Sequence, residues 1–385
     1  MKIIAFYLPQ FHDIPENDEW WGKGFTEWVN VKKAKPLYHG HEQPRIPLNE
    51  NYYNLLDDDV KVWQARIAKE HGIYGFCYYH YWFGGKKLLE KPMEQMLENP
   101  AIDIPFCISW ANEPWTKAWV NESKVLIPQF YGKKNEWKEH FDYLLPFFKD
   151  DRYIKMDGKP FFVIYRAEVI DCLNEMLDYW NELAIENGFP GISFAYQNLT
   201  FDLVPNKDDS RFEYNIEFQP SYAWNDLNNQ TKLQTSMTWN LMRDVRRWSY
   251  IQIEKIFGFD IPRYLAGKKK QNEVLKTDYD RVWQMILARK CPESKNIPGA
   301  FVGWDNTPRK ETRGQVYTGD TPEKFKKYLS EQIRHARDDY QKDMIFMYAW
   351  NEWAEGGYLE PDVRTGYKNL EAIREALIEN QEFPW

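Results

Sequence analysis

Apolar residues along this chain fall into short runs, β-branched or aromatic in character, separated by stretches whose apolar positions recur at helical spacing. The runs Ile3–Leu8, Gly75–Tyr81, Pro105–Trp110, Phe161–Arg166, Ile192–Gln197, Tyr214–Gln219, Ala300–Trp304 and Met344–Trp350 predict strands. Between them, Asp57 to Glu70 opens on an acidic turn and carries Val60, Trp63 and Ile67 on one face, which predicts a helix. Another begins at Thr321-Pro322-Glu323, a capping residue followed by proline at the first helical position. Segments near Asn135–Phe148, Val169–Asn187 and Tyr279–Arg289 fit the same pattern. About eight strands alternating with helices predict an α/β chain folded as a (β/α)8 TIM barrel, one domain over residues 1–385. The stretch from about Asp226 to Lys276 is longer than an ordinary connection. It predicts an inserted helical segment between the sixth and seventh strands rather than a second domain, since no Pro/Gly/Ser-rich linker flanks it.

In such a barrel, chemistry gathers at the carboxyl ends of the strands. Here those ends read Tyr7-Leu-Pro-Gln10, Tyr78-Tyr-His-Tyr-Trp82, Ser109-Trp-Ala-Asn-Glu113, Tyr165-Arg166, Tyr196-Gln-Asn198, Glu217-Phe-Gln219, Gly303-Trp-Asp-Asn306 and Trp350-Asn-Glu352. Rings beside amides and carboxylates suit an oligosaccharide, whose sugar rings have apolar faces and hydroxyl edges. Composition points the same way: 17% of residues are aromatic, with 18 Trp and 25 Tyr. A net charge of −8, with charges spread along the chain, is the balance of a soluble acidic protein and disfavours a nucleic-acid partner.

The amino terminus has too short an apolar stretch for a secretory signal, and no run is long enough to span a bilayer, so the expectation is a cytoplasmic protein without a membrane partner. Cys77, Cys107, Cys172 and Cys291 are far apart and read as reduced thiols. His39-Gly-His41 lacks the further ligands of a metal site, so no metal is expected, and nothing in the sequence implies a cofactor or a protein partner. Gly-x-Ser-x-Gly, phosphate-loop and dinucleotide motifs are absent, which disfavours serine, phosphoryl and hydride chemistry.

Glu352 and Glu355 lie three positions apart just past the last predicted strand, among tryptophans and ahead of Gly356-Gly357. Two carboxylates in unlike environments are the apparatus of glycoside cleavage; the bland alternative is a solvated surface turn. Glu113 is open to several roles: ligand of a sugar hydroxyl, partner of another carboxylate, acid, or a capping or salt-bridged residue. Glu27 and Glu217 are weaker candidates of the same kind, and His80 is either a substrate ligand or a core histidine. The candidate substrate-binding residues are Tyr7, Glu27, Tyr79, His80, Trp110, Glu113, Gln197, Glu217, Trp304, Asp305, Trp350, Asn351 and Trp353, with Glu352 and Glu355 as the catalytic pair.

The ordered set Phe6-Tyr-Leu-Pro-Gln-Phe-His12, Gly24-Phe-Thr-Glu-Trp-Val-Asn30, Gly75-Phe-Cys-Tyr-Tyr-His-Tyr-Trp82, Ser109-Trp-Ala-Asn-Glu-Pro-Trp115, Gly303-Trp-Asp-Asn-Thr-Pro-Arg309 and Trp350-Asn-Glu-Trp-Ala-Glu-Gly356 resembles the WbsX-type proteins, a group related to the family-99 glycoside hydrolases. The resemblance covers nearly the whole chain. It implies a (β/α)8 barrel acting on α-mannosides with retention of configuration. The related signature Glu-Trp-His-Glu reads Glu352-Trp353-Ala354-Glu355 here, with alanine in place of histidine. By that match Glu352 would activate the sugar's 2-hydroxyl and Glu355 would be the general acid/base, with the reaction passing through a 1,2-anhydro sugar. That route requires a manno-configured sugar, mannose or rhamnose, and expects Glu355 protonated and Glu352 ionised. WbsX-type proteins also carry the label of glycosyltransferase in surface-polysaccharide (O-antigen) synthesis, and a carbohydrate-binding protein without chemistry is a third reading.

Overall fold

A computed structural model describes residues 1–116, 125–199, 208–230, 273–291 and 293–385. Its main sheet holds strands β1 (Lys2–Tyr7), β2 (Ile73–Phe83), β3 (Phe106–Trp110), β4 (Lys159–Ile164), β5 (Ser193–Asn198), β6 (Phe212–Glu217), β7 in two pieces (Asn296–Ile297 and Gly299–Phe301) and β8 (Met344–Tyr348). Neighbours pair in parallel in the order β6-β5-β4-β3-β2-β1-β8, with the first piece of β7 on β6 and the second on β8. The two pieces of β7 thus complete the ring of a (β/α)8 barrel.

The predicted strands and helices are present within a few residues, with one correction. The seventh strand, expected at Ala300–Trp304, runs earlier and is split at Pro298. Proline has no N–H to donate to a ladder, and here only its carbonyl is used, accepting from the Phe346 amide at 3.2 Å. Gly299 follows because the chain closes tightly there: a Cβ would sit 1.9 Å from the Glu217 carbonyl oxygen. The helix at Pro322–Asp338 begins as expected, with the Thr321 hydroxyl accepting from the Lys324 amide. Helices at Pro15–Trp21, Glu27–Lys33, Lys91–Glu98 and Lys368–Glu379 were not foreseen. Of the expected 226–276 insertion, residues 231–272 lie outside the described residues.

Alternation along each strand sends one side chain into the barrel and the next toward the surrounding helices. Phe6 and Phe346 meet inside at 5.5 Å, and Phe346 meets Phe161 at 5.8 Å. Higher up, Phe218 packs against both Phe6 and Tyr348, at 5.1 and 5.3 Å. This ring-filled interior is the floor on which the groups at the carboxyl ends of the strands stand. Among the described residues no helix is long and apolar enough to cross a membrane.

The seam at Gly299 gives a direct test. Gly299→Ala places a methyl group against backbone that cannot retreat, and the expected loss of stability is about 3 kcal/mol, at the upper end for overpacking. Chemical denaturation of the two proteins checks it through the transition midpoint.

Candidate active site

Arg309 holds the site together. Its Nε donates to Glu27 Oε1 at 2.8 Å, Nη1 to Glu355 Oε1 at 2.6 Å, and Nη2 to Glu352 Oε2 at 3.2 Å. The Arg309 side chain is 7% exposed, Glu352 likewise 7%, Glu355 20% and Glu27 not at all. The planar guanidinium fork is suited to this, since its donors point in three fixed directions.

Local chain geometry brings these groups in. Just beyond β8, Asn351–Glu352 pairs with Gly357–Tyr358 in a short hairpin, and Trp353–Glu355 forms a single 3-10 turn between them. Gly356 closes the turn at φ +64°, where a Cβ would lie 2.6 Å from the Asp305 amide nitrogen. That amide donates to the Glu355 carbonyl at 2.7 Å and ties the loop after β7 to the glutamate loop. The Asp305 carboxylate accepts on one oxygen from His41 Nε2 and Gln43 Nε2, at 2.8 and 2.7 Å. Its other oxygen accepts from the amide and hydroxyl of Thr307, at 3.1 and 2.6 Å. Those bonds outweigh burial and hold Asp305 below the usual carboxylate range. They also anchor the start of the short helix Thr307–Lys310, which carries Arg309. His41 Nδ1 accepts from the Leu37 amide, so Nε2 is the protonated nitrogen that faces Asp305. From the other side, Glu27 opens the helix Glu27–Lys33.

The two glutamates of the pair have unlike environments, as expected, but in the opposite sense. Burial, the repulsion of Glu355 and that of Glu27 raise Glu352 to about 8 against the pull of Arg309. Burial also pushes Glu355 upward, yet Arg309, a hydrogen bond from the Tyr348 hydroxyl and the charge of Lys310 carry it below the ordinary value. Both directions favour Glu352 as the protonated partner of the pair in the free site. The expectation of a protonated Glu355 runs against these directions because Glu355 takes the shorter Arg309 contact and Tyr348 besides, whereas Glu352 takes the longer Arg309 contact. Tyr348 itself stays protonated, its pKa raised by burial and both carboxylates.

Strand parity decides where most other candidates go. Tyr79 and Gln197 point inward: Tyr79 stacks on Phe6 at 5.6 Å and feels the Glu352 charge, and Gln197 accepts from the Ser109 hydroxyl at 2.7 Å. Tyr7, His80, Trp110 and Glu217 point outward. The Tyr7 hydroxyl donates to Gln64 at 2.6 Å; His80 Nε2 meets His140 Nε2 at 2.9 Å; Trp110 Nε1 donates to the Trp82 carbonyl at 3.3 Å. Burial pushes His80 down to about 3, so it is a neutral core histidine. Glu217 accepts from Asn296 at 3.0 Å and from Tyr340, in the connection that enters the amino end of β8. As substrate ligands these four are corrected: one residue of parity places each behind the barrel wall.

Asn351 is a clamp, its amide exchanging hydrogen bonds with the Leu8 backbone at 2.7 and 3.0 Å. Trp350 is fully buried, with its ring 4.9 Å from Phe76. Trp353 stacks on Tyr358 at 3.8 Å and donates to Glu360 Oε2 at 2.7 Å. Glu360 also accepts from Tyr53 and Gln64, and burial raises it to about 7. Asn351, Trp350, Trp353 and Asp305 thus build the site rather than line it. Glu113 is half-exposed and paired with Arg166 at the ends of β3 and β4. Trp304 remains at the site, half-buried with its ring 5.5 Å from Tyr348. Sequence reasoning missed Arg309, Tyr348 and Tyr81. Tyr81 is half-buried as a residue; burial and then Glu352 raise the pKa of its hydroxyl, which feels Arg309, Glu27 and Glu355 as well. Its parity with Tyr79 was the available signal. Among the described residues, no group of three or more His, Cys, Asp and Glu is arranged to hold a metal ion.

Comparison with known proteins agrees with this architecture. Proteins named "Uncharacterized protein WxcX" from two strains of Xanthomonas campestris pv. campestris, ATCC 33913 and B100, are each 35% identical to it over 378 residues. The match takes in 97% of this chain and 49% of each relative, so the chain spans about half the length of the relatives it matches. Among solved structures, the GH99 endo-alpha-mannosidase from Bacteroides thetaiotaomicron in complex with BIS-TRIS-Propane superposes with a TM-score of 0.54 at 15% identity, covering 99% of this chain and 97% of that one. A glycoside hydrolase-like protein gives 0.53 at 12% identity, covering 97% and 93%. These likenesses are of fold. Residues 3–373 match the family described as "Glycosyltransferase WbsX", and the chain belongs to that family.

Proposed function

We propose that this barrel, as one catalytic domain, hydrolyses α-linked glycans of manno-configured sugars, mannose or rhamnose, with Glu352 and Glu355 as its reacting carboxylates. The observation that carries the proposal is a pair of buried glutamates on one arginine, with acidities displaced in opposite directions, at the carboxyl end of a (β/α)8 barrel. Trp304, Tyr79 and Tyr81 supply rings and hydroxyls around the pair, as a sugar ligand requires. The same proposal takes the chain to be cytoplasmic, in keeping with its four free cysteines.

In the mechanism, ionised Glu352 takes the proton of the sugar's 2-hydroxyl while that oxygen displaces the leaving group from the anomeric carbon. Glu355 gives its proton to the departing oxygen. Water then opens the 1,2-anhydro ring at the anomeric carbon, losing a proton to Glu355, and Glu352 returns its proton to the 2-oxygen. The pair carries one proton throughout. In the free site that proton sits on Glu352, the distribution that belongs to the 1,2-anhydro stage, so substrate binding has to weaken the Arg309–Glu355 contact and move the proton across. The same distribution favours one alternative, in which Glu352 is the acid and Glu355 the base.

Incubation with a panel of α-mannans and rhamnan oligosaccharides, without nucleotide sugar, should give shorter glycans by mass spectrometry. Products that require a nucleotide-sugar donor would instead assign transfer, the activity in the family's description, and binding without products would assign a lectin-like role.

Loss of the acid is selective. Glu355→Gln should lower turnover about 10²–10⁴-fold on natural glycosides and far less on an activated aryl glycoside, while Glu352→Gln should lower both alike. The reverse pattern would exchange the two roles.

Since the reacting form carries a single proton on the pair, kcat/KM should be level through neutrality and fall above about pH 8, where Glu352 loses its proton. A pH–rate profile with no loss up to pH 10 would contradict this.

A further inference from the structure

Glu27 is fully buried, so no sugar hydroxyl reaches it, and its expected role as a substrate ligand does not fit its position. Its Oε1 is instead taken by Arg309 Nε at 2.8 Å and Asn30 Nδ2 at 3.1 Å, and its own amide donates to the Gln10 carbonyl at 3.0 Å. As the first residue of the helix Glu27–Lys33, it also sits where the helix dipole favours a negative charge. Nothing in the chemistry proposed above uses a third carboxylate at this place.

We propose that Glu27 is a positioning residue that acts through Arg309: by pairing with Nε it turns the guanidinium so that Nη1 meets Glu355 and Nη2 meets Glu352, and so fixes which of the two carries the shared proton. The inference rests on the reading of Glu352 and Glu355 as the reacting carboxylates. The geometry is that of a rigid fork with its stem pinned. A guanidinium is planar, so holding Nε on one carboxylate sets the directions of both Nη groups. Without Glu27 the Nε contact is lost, and the guanidinium can turn further toward the pair.

The charges that face the pair come from every element around it. Glu27 is on its helix, Tyr79 and Tyr81 are on β2, Arg309 and Lys310 are on the short helix after β7, and Tyr348 is at the end of β8. Only Arg309 and Lys310 among them are cationic. Among the described residues, Glu27 is the carboxylate besides the pair that raises Glu352, directly as well as by engaging Arg309. Removing its charge therefore moves Glu352 in one direction, toward the ionised form.

The test is a ¹³C NMR titration of protein labelled at the glutamate carboxyl carbons, with the Glu352 signal identified as the one lost in Glu352→Gln. In Glu27→Gln the Glu352 midpoint should fall by about one pH unit, a tenfold change in its protonation constant. Glu27→Asp keeps the charge but sits one methylene farther from Arg309, so it should give a smaller fall in the same direction; it carries the test if Glu27→Gln does not fold. An unchanged Glu352 midpoint in the folded variants would overturn the proposal, and would leave Glu27 as a structural anchor that affects stability alone. The titration needs no turnover, so a protein that cleaves nothing on the glycan panel can still confirm or refute the role of Glu27.

Discussion

One buried guanidinium facing three carboxylates is the constraint on which the rest of the site depends. Arg309 balances one negative charge, leaving an excess that a low-dielectric setting cannot hold. At an effective dielectric of about 20, two unit charges about 4 Å apart interact by about 4 kcal/mol, or about three pKa units. Burial adds to that repulsion, and the group with the weakest claim on Arg309 takes up a proton. That group is Glu352. The unlike acidities of the two glutamates thus arise from an unequal division of one cation.

The surrounding structure serves to keep that division fixed. Arg309 rides on a four-residue helix too short to be stable alone, so its position depends on Asp305, whose carboxylate is saturated by His41, Gln43 and Thr307. The glutamate loop is held from the front by the Asp305 amide and from behind by Trp353 on Glu360. Residues that looked like sugar ligands turn out to be this framework. Asp305, Asn351 and Trp353 spend their polar groups on protein partners, as most buried polar groups do.

Much of the fold was legible in the sequence because length and periodicity together specify a run of βα units. The split seventh strand was less so, since a two-residue piece before Pro298 has too few positions to show a period. The candidate pair stood out in the sequence because two acidic residues follow a strand among tryptophans, which a solvated loop has no reason to do. Side-chain direction was not. Strands of a barrel covered by helices are apolar on both faces, so nothing in the composition tells inward from outward. Tyr7, His80 and Trp110 each lie next to an inward residue, Phe6, Tyr79 and Ser109, and each was misassigned by that single step. Arg309 was missed for a different reason: its partners are 282, 43 and 46 residues away in sequence, and only the closed barrel brings them together.

The central claim is that the sugar's own 2-oxygen, with the pair Glu352 and Glu355, takes the place of a protein nucleophile. Two successive displacements at the anomeric carbon must restore its configuration. The most direct measurement is ¹H NMR of the product as it first forms from an α-linked manno-configured glycan, before the free sugar equilibrates. The account predicts the α-anomer. A first-formed β-anomer would contradict it, because inversion requires a single displacement by water and leaves the 2-hydroxyl no part in the reaction.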